Sequence, residues 1–168
     1  MKEFEMHKFK KIYLDLDGVI ADFHKRYHEI HNCSPSHDDV RKRFGQRFGR
    51  FIQDKEFQNL DMMPDARELL SYLNTCGVPV EILSSTARPV SNAEISRQKQ
   101  VWLDKHNIKY PANFVPGKQF KYQFADENSI IIDDTPSVIE DWNKASGTGI
   151  LHTDALTTIS ILDALLRV

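Results

Sequence analysis

The chain has 168 residues, 40% of them hydrophobic and 27% charged, with a formal net charge of −2. That length suits one domain with room for an inserted subdomain, and the balance of charge excludes whole-protein attraction to nucleic acid or anionic membranes. The two cysteines, Cys33 and Cys76, lie far apart in no metal-ligand spacing, which argues against a disulfide scaffold and a thiolate zinc site. The opening Met1-Lys2-Glu3-Phe4-Glu5 has no apolar signal core, and no apolar stretch is long enough to span a bilayer. The expected compartment is the cytoplasm.

Lys11 to Asp17 reads as a first strand, buried on both faces in the manner of parallel sheets. A helix is expected from about Asp22 to Asn32, interrupted by Ser34-Pro35-Ser36. Ser36 or Asp38 then caps a further helix in which Val40, Phe44, Phe48 and Phe51 share one face. Asp65 opens a helix over Ala66 to Thr75, set between Pro64 and Gly77. Val78 to Leu83 is a strand running into Ser84-Ser85, and Ser91 to Asn107 a long amphipathic helix with Ile95, Trp102 and Leu103 on its apolar side. A short strand at Phe114-Val115, a short helix from Lys118 to Ala125, a strand from Ser129 to Asp133, a helix from Ser137 to Lys144 and a last strand from Gly149 to His152 follow. Thr153 or Asp154 caps the closing helix, whose Leu156, Ile159, Leu162, Leu165 and Leu166 are expected to face the core.

Strands alternating with helices predict an α/β fold, a doubly wound, Rossmann-like parallel sheet. Residues 23–63 hold helices but no convincing strand, so they are expected to leave the sheet as a small helical cap inserted after the first strand. The core is then 8–22 and 64–168 of a single domain.

Asp15 and Asp17 follow the apolar Ile12-Tyr13-Leu14 and project to the same side, because side chains alternate along a strand. Gly18 lets the backbone turn sharply and approach a ligand. Asp133-Asp134 follows Ile130-Ile131-Ile132 and precedes Thr135-Pro136. If the two runs are parallel neighbours, four carboxylates meet where such sheets bind ligands, and they need a hard cation, Mg²⁺ first. The chemistry that suits this set is phosphoryl transfer: one Asp attacks phosphorus, its neighbour moves a proton to the leaving oxygen, and a metal and a Lys neutralise charge. Ser84, at a strand end, suits a phosphoryl oxygen.

The string Asp15-Leu16-Asp17-Gly18-Val19-Ile20-Ala21-Asp22-Phe23 resembles the first motif of haloacid dehalogenase-like (HAD) phosphatases, closest to the 5′(3′)-deoxyribonucleotidase branch. Glu81-Ile82-Leu83-Ser84-Ser85 meets the second motif and Ile130 to Asp134 the fourth. The resemblance implies Asp15 as nucleophile and Asp17 as general acid/base. It implies Mg²⁺ held by Asp15, the Asp17 carbonyl and one of Asp133 or Asp134. For the third-motif lysine that clamps phosphate, Lys121 matches the family's placement best and Lys118 is its rival, with Lys99 and Lys105 as outsiders.

Phe23, directly after the acidic motif, Ser85, and Arg88, four residues past Ser84, are further candidates for contact with substrate. His24, His28 and His31 share a helix face, which suits a wet surface or a cleft wall better than zinc. Arg41, Lys42, Arg43, Arg47 and Arg50 make the insertion locally basic, as a solvated face or as an attractor of phosphorylated substrate. The expected activity is a Mg²⁺-dependent phosphomonoester hydrolase working through an aspartyl-phosphate on a small substrate such as a nucleoside monophosphate. A 3′-phosphatase for nucleic-acid ends would need a basic open track, and a non-catalytic binding module would have lost an acid or the lysine.

Overall fold

The apolar runs that end at Leu14, Ser85, Val115, Asp133 and Leu151 lie side by side in the computed structural model as one parallel sheet. Residues 8–35, 41–87 and 89–167 are described, with the backbone alone for 41–44. The strands are β1 (Lys11–Leu14), β2 (Val80–Ser85), β3 (Ala112–Val115), β4 (Ser129–Asp133) and β5 (Thr148–Leu151), in the spatial order β3-β2-β1-β4-β5. Among the described residues six helices connect or flank them: α1 (Phe23–His31), α2 (Arg41–Gln53), α3 (Ala66–Thr75), α4 (Asn92–Lys105), α5 (Pro136–Lys144) and α6 (Ala155–Leu166). Single 3₁₀ turns sit at Glu56–Asn59 and, longer, at Lys118–Phe124. The expected doubly wound α/β architecture is the one found.

Two cores hold the layers together. Ile12, Leu14, Ile82, Ile130 and Ile132 bury one sheet face against Leu69 of α3, Ile95 and Trp102 of α4 and Leu162 of α6. Leu83, Val115 and Ile131 bury the other face against Val138 and Trp142 of α5. That second layer is thin, which corrects the expectation that β1 is buried on both sides. Lys11 and Tyr13 stay half-buried; Lys11 pairs with Glu81, and Tyr13 meets Phe124 and Trp142 edge-on.

β1 also stops at Leu14 rather than Asp17, because the chain winds into a tight turn. The amides of Val19, Ile20 and Ala21 all donate to the Leu16 carbonyl, at 3.1, 2.9 and 2.9 Å. The outgoing and returning limbs of the helical segment then run antiparallel: Ala21 bridges Met62, Asp22 N–H donates to Asp61 O at 2.9 Å and Met63 N–H to Ile20 O at 2.8 Å. Between them come α1, α2 and the Glu56–Asn59 turn, with no strand among the described residues. Asp22 caps α1 by accepting from Lys25 N–H, and Asn32 ends it in the left-handed conformation with φ 53°. Phe48 and Phe51 are buried as expected, whereas Ser36, Asp38 and Val40 and the Phe44 side chain lie outside the described residues.

In α6 the buried stripe is Ala155, Thr158, Leu162 and Leu166, so Leu156 points to solvent and is 70% exposed. The cause is phase. Asp154 caps the helix through Thr157 N–H, which fixes its start and turns Leu156 away. The segment expected as a short helix at Lys118 is wound as 3₁₀, which suits its seven residues.

Candidate active site

The sheet register brings the two acidic segments together. Leu14 lies opposite Ile132 in β4, and Asp15 N–H donates to Ile132 O at 3.0 Å, so Asp15 and Asp133 leave adjacent strand ends side by side. Asp15 is 7% exposed and Asp133 fully buried. Lys121, 2% exposed, bridges them: its Nζ lies 3.0 Å from Asp15 Oδ1 and 2.7 Å from Asp133 Oδ2. The other Asp133 oxygen accepts from Thr135 N–H at 2.9 Å. Burial, and then the neighbouring Asp133 charge, push the Asp15 pKa well above the carboxylate range against the pull of Lys121. Burial alone would lower the Lys121 pKa, but Asp15 and Asp133 outweigh it and hold the ammonium charged. Lys118 sits on the cleft lining with an exposed side chain, so it is Lys121 that the fold brings onto the acids.

Asp134 packs over Gly18. A Cβ placed there would lie 2.0 Å from Asp134 Oδ2, and Gly18 has φ 82°, so this turn admits no side chain without moving the acid. Burial first, and Asp133 second, raise the Asp134 pKa. Asp15, Asp133 and Asp134 each offer a carboxylate oxygen within 4.8 Å of the others. Three hard oxygen donors crowded at this distance, two of them holding protons more tightly than usual, fit a divalent cation such as Mg²⁺. Among the described residues this ligand group is made of carboxylates, and His24, His28 and His31 do not join it. His24 lines the cleft, His28 is exposed and His31 packs edge-on against Tyr27.

The second lysine of the site is one that sequence reasoning set aside. Lys99, in the middle of α4 and 3% exposed, places Nζ 2.8 Å from Asp17 Oδ2, 2.8 Å from Ser84 Oγ and 2.7 Å from the Ser85 carbonyl. Its place in the apolar half of a helix gave a signal, since a lysine flanked by Ile95 and Trp102 must reach an acid to be buried. Lys105, the other outsider, donates instead to Gln58 O and Asn59 Oδ1, away from the acids. Ser84 is fully buried behind Lys99, while Ser85 reaches the cleft and its Oγ accepts from Ala87 N–H at 3.0 Å.

These groups open on a cleft of about 400 Å³. Asp15, Asp17, Asp134 and Lys121 form its polar floor, Phe23, Phe48 and Phe57 one wall, and Gly117, Lys118 and Gln119 the other. Phe23 and Phe57 are parallel, 7° between planes and 5.6 Å between centroids, and Lys99 Nζ lies 5.2 Å from the Phe57 ring centre. Phe57 had no periodic pattern to mark it, because it sits on a single 3₁₀ turn. Arg88 lies outside the described residues, as do the side chains of Arg41, Lys42 and Arg43. Arg47 is half-buried with Nη1 3.0 Å from Cys33 Sγ, and Arg50 is exposed.

A model of the family described as 5′ nucleotidase, deoxy (pyrimidine), cytosolic type C protein (NT5C) matches residues 10–163. No curated protein sequence matches the chain. Among solved structures, a hydrolase from Pseudomonas syringae aligns with TM-score 0.57 at 13% identity, covering 94% of this chain and 99% of that one. A HAD-superfamily hydrolase from Ehrlichia chaffeensis gives 0.57 at 12% identity over 96% and 100% of the two chains. A D,D-heptose 1,7-bisphosphate phosphatase from Burkholderia thailandensis gives 0.51 at 12% identity over 94% and 99%. At such identities the structural likeness speaks to the fold. No helix among the described residues is long and apolar enough to cross a membrane.

Proposed function

The chain belongs to the NT5C 5′-nucleotidase family of HAD-like phosphatases, and from that premise we propose a Mg²⁺-dependent phosphomonoesterase that works through an aspartyl-phosphate on a nucleoside monophosphate. The observation that carries this reading is the pairing of two carboxylate–lysine units on one cleft, Asp15 with Lys121 and Asp17 with Lys99.

Asp15 is the nucleophile. Its position at the end of β1, fixed by Asp15 N–H on Ile132 O, aims a carboxylate oxygen into the cleft along a rigid strand. Lys121 stabilises negative charge as the phosphoryl group moves onto Asp15, and it does so without reorganising, because Asp133 already anchors it. Asp17 gives a proton to the leaving oxygen and then takes one from the attacking water. Lys99 holds the Asp17 carboxylate in place from the side of Ser84 and Ser85. Held by Asp15, Asp133, Asp134 and the Asp17 carbonyl, Mg²⁺ would supply further neutralisation of the phosphoryl oxygens. Residues 23–63 act as a cap: Phe23, Phe48 and Phe57 line the wall that a planar base would contact, and Ser85 faces the phosphoryl end. Arg88, four residues past Ser84, remains a candidate for substrate contact by its place in the sequence.

A panel of phosphomonoesters assayed with Mg²⁺ and with chelator tests this. It should include deoxynucleotides, ribonucleotides, sugar phosphates and 3′-phosphorylated oligonucleotides. Fastest turnover of a nucleoside monophosphate, abolished by chelator and by Asp15→Asn, is expected. Preference for the oligonucleotide, or activity that survives the chelator, would overturn the reading.

A further inference from the structure

One face of α4 is joined to the returning limb of the helical segment by hydrogen bonds that run into backbone carbonyls. Gln98, fully buried, donates from Nε2 to Ile52 O at 2.8 Å, and Trp102, 1% exposed, donates from Nε1 to Leu60 O at 2.8 Å. Ile52 lies in the last turn of α2, and its carbonyl accepts from Lys55 N–H at 3.0 Å as well as from Gln98. Farther out, Lys105 donates to Gln58 O at 3.1 Å and Arg97 to Gln58 Oε1 at 3.4 Å. The stretch between the two buried anchors contains Phe57, the ring that stacks parallel to Phe23 and meets Phe48 and Phe51 edge-on. Lys99, adjacent to Gln98, reaches Asp17 and Ser84 while its Nζ stays 5.2 Å from the Phe57 ring centre.

We propose that Gln98 and Trp102 are positioning residues for substrate selectivity: they clamp the 52–60 segment to α4 and so hold the aromatic wall at a fixed distance from the reacting groups. This rests on the phosphatase reading of the cleft. The wall is therefore preformed and does not swing in as a lid. Helix α4 sets both ends of the site, with Lys99 registering Asp17 at the reaction end and its neighbours registering Phe57 at the recognition end. Because an α-helix is stiff over this span, the two ends are fixed relative to each other. Ordering the wall in advance removes an entropy cost from binding a planar leaving group, while an ester with no ring gains nothing from it. Neither Gln98 nor Trp102 lines the cleft, so both act through Phe57.

The test compares Gln98→Met, which deletes the amide donor at similar length, with Trp102→Phe, which deletes the indole N–H. Each is assayed on a deoxynucleoside monophosphate and on glycerol 1-phosphate, and hydrogen exchange is followed across residues 52–60. Each lost bond should raise KM for the nucleotide several-fold, and the double variant about tenfold, from the ordinary worth of a hydrogen bond. kcat on the nucleotide, and kcat/KM on glycerol 1-phosphate, should stay within about twofold, and amide exchange in the 52–60 segment should speed up. An equal loss on both esters would mean general damage to the fold and overturn the proposal, as would unchanged exchange. Should Trp102→Phe prove too unstable, Gln98→Met decides on its own. If the parent protein hydrolyses neither ester, the phosphatase reading fails, and exchange across 52–60 still decides the clamp: faster exchange in the variants supports it and unchanged exchange ends it.

Discussion

Lys99 Nζ sits 2.8 Å from Asp17 Oδ2, joining side chains 82 positions apart in the sequence. Asp17 is the more exposed partner, at 26% against 3% for the lysine, so the pair is wet on one side and dry on the other. That arrangement suits an acid that must meet substrate and water while its rotamer stays fixed.

Lys99→Met should therefore act through Asp17. The loss in kcat is expected to reach about a hundredfold for an alkyl phosphate, the low end for a general acid. For an aryl phosphate, whose leaving group needs little protonation, the loss should be clearly smaller. Steady-state kinetics on the two esters checks this, and equal losses would place Lys99 on the phosphoryl group instead of on the acid.

Lys121 is buried between two carboxylates, so Lys121→Met removes turnover and stability together. Breaking a buried ion pair by deleting one partner costs about 3–5 kcal/mol, because the remaining charge is uncompensated. Lys118→Ala should leave both properties close to the parent, since its side chain is exposed. Adding Asp133→Asn to Lys121→Met should restore part of the stability and none of the activity. Urea melts beside kcat measurements would separate these outcomes.

Much of this site was legible in sequence because strand ends carry it. Asp15, Ser84, Asp133 and Asp134 each follow an apolar run, and a parallel sheet collects such ends at one edge. Lys99 was not legible in that way. It comes from a helix, where reaching the site depends on crossing angle and side-chain length, neither of which is written in local periodicity. Phe57 was missed because one 3₁₀ turn has no period to read. The half-exposed face of β1 was missed because strand composition does not say how many helices will cover it; among the described residues α5 and a 3₁₀ turn do. Leu156 was misplaced because it stands next to Ala155, about 100° around the helix from the buried stripe of Ala155, Thr158, Leu162 and Leu166, and apolar composition alone does not separate the two positions.

Divalent cation should stabilise the protein at neutral pH by relieving repulsion among Asp15, Asp133 and Asp134. At a hundred times its dissociation constant the gain is about 2.7 kcal/mol. Thermal melts with millimolar Mg²⁺ and with chelator should differ in the parent, and the difference should shrink in Asp134→Asn. Identical melts would remove the metal from the mechanism.

His152, whose backbone N–H donates to Asp133 O at 2.9 Å, predicts a pH dependence of stability. It is 5% exposed, its Nδ1 lies 2.8 Å from Thr158 Oγ1, and burial pushes its pKa below the ordinary 6.5. The unfolded chain takes up a proton as pH falls through 6.5 while the folded chain resists, so stability is held above that value and lost below it. The slope from this one group is at most about 1.4 kcal/mol per pH unit. His152→Gln should flatten the parent's fall in stability between about pH 6.5 and 5, measured by urea unfolding at each pH. An unchanged slope would show that other groups dominate there.

Gly18→Ala tests how tightly the acidic turn is built. With φ 82°, an added Cβ costs about 1–2 kcal/mol of backbone strain. The same Cβ would lie 2.0 Å from Asp134 Oδ2, so the carboxylate must swing away or the turn from Leu16 to Ala21 must open. Either movement separates Asp134 from Asp15 and Asp133. The variant should fold, since the strain is a small part of a domain's stability. It should lose most of its stabilisation by Mg²⁺, and kcat should fall far more than the melting point does. Because Asp134 carries the defect, Asp134→Asn added to Gly18→Ala should cost little further activity. Full additivity of the two losses would mean that the glycine serves the turn alone and that Asp134 keeps its place without it.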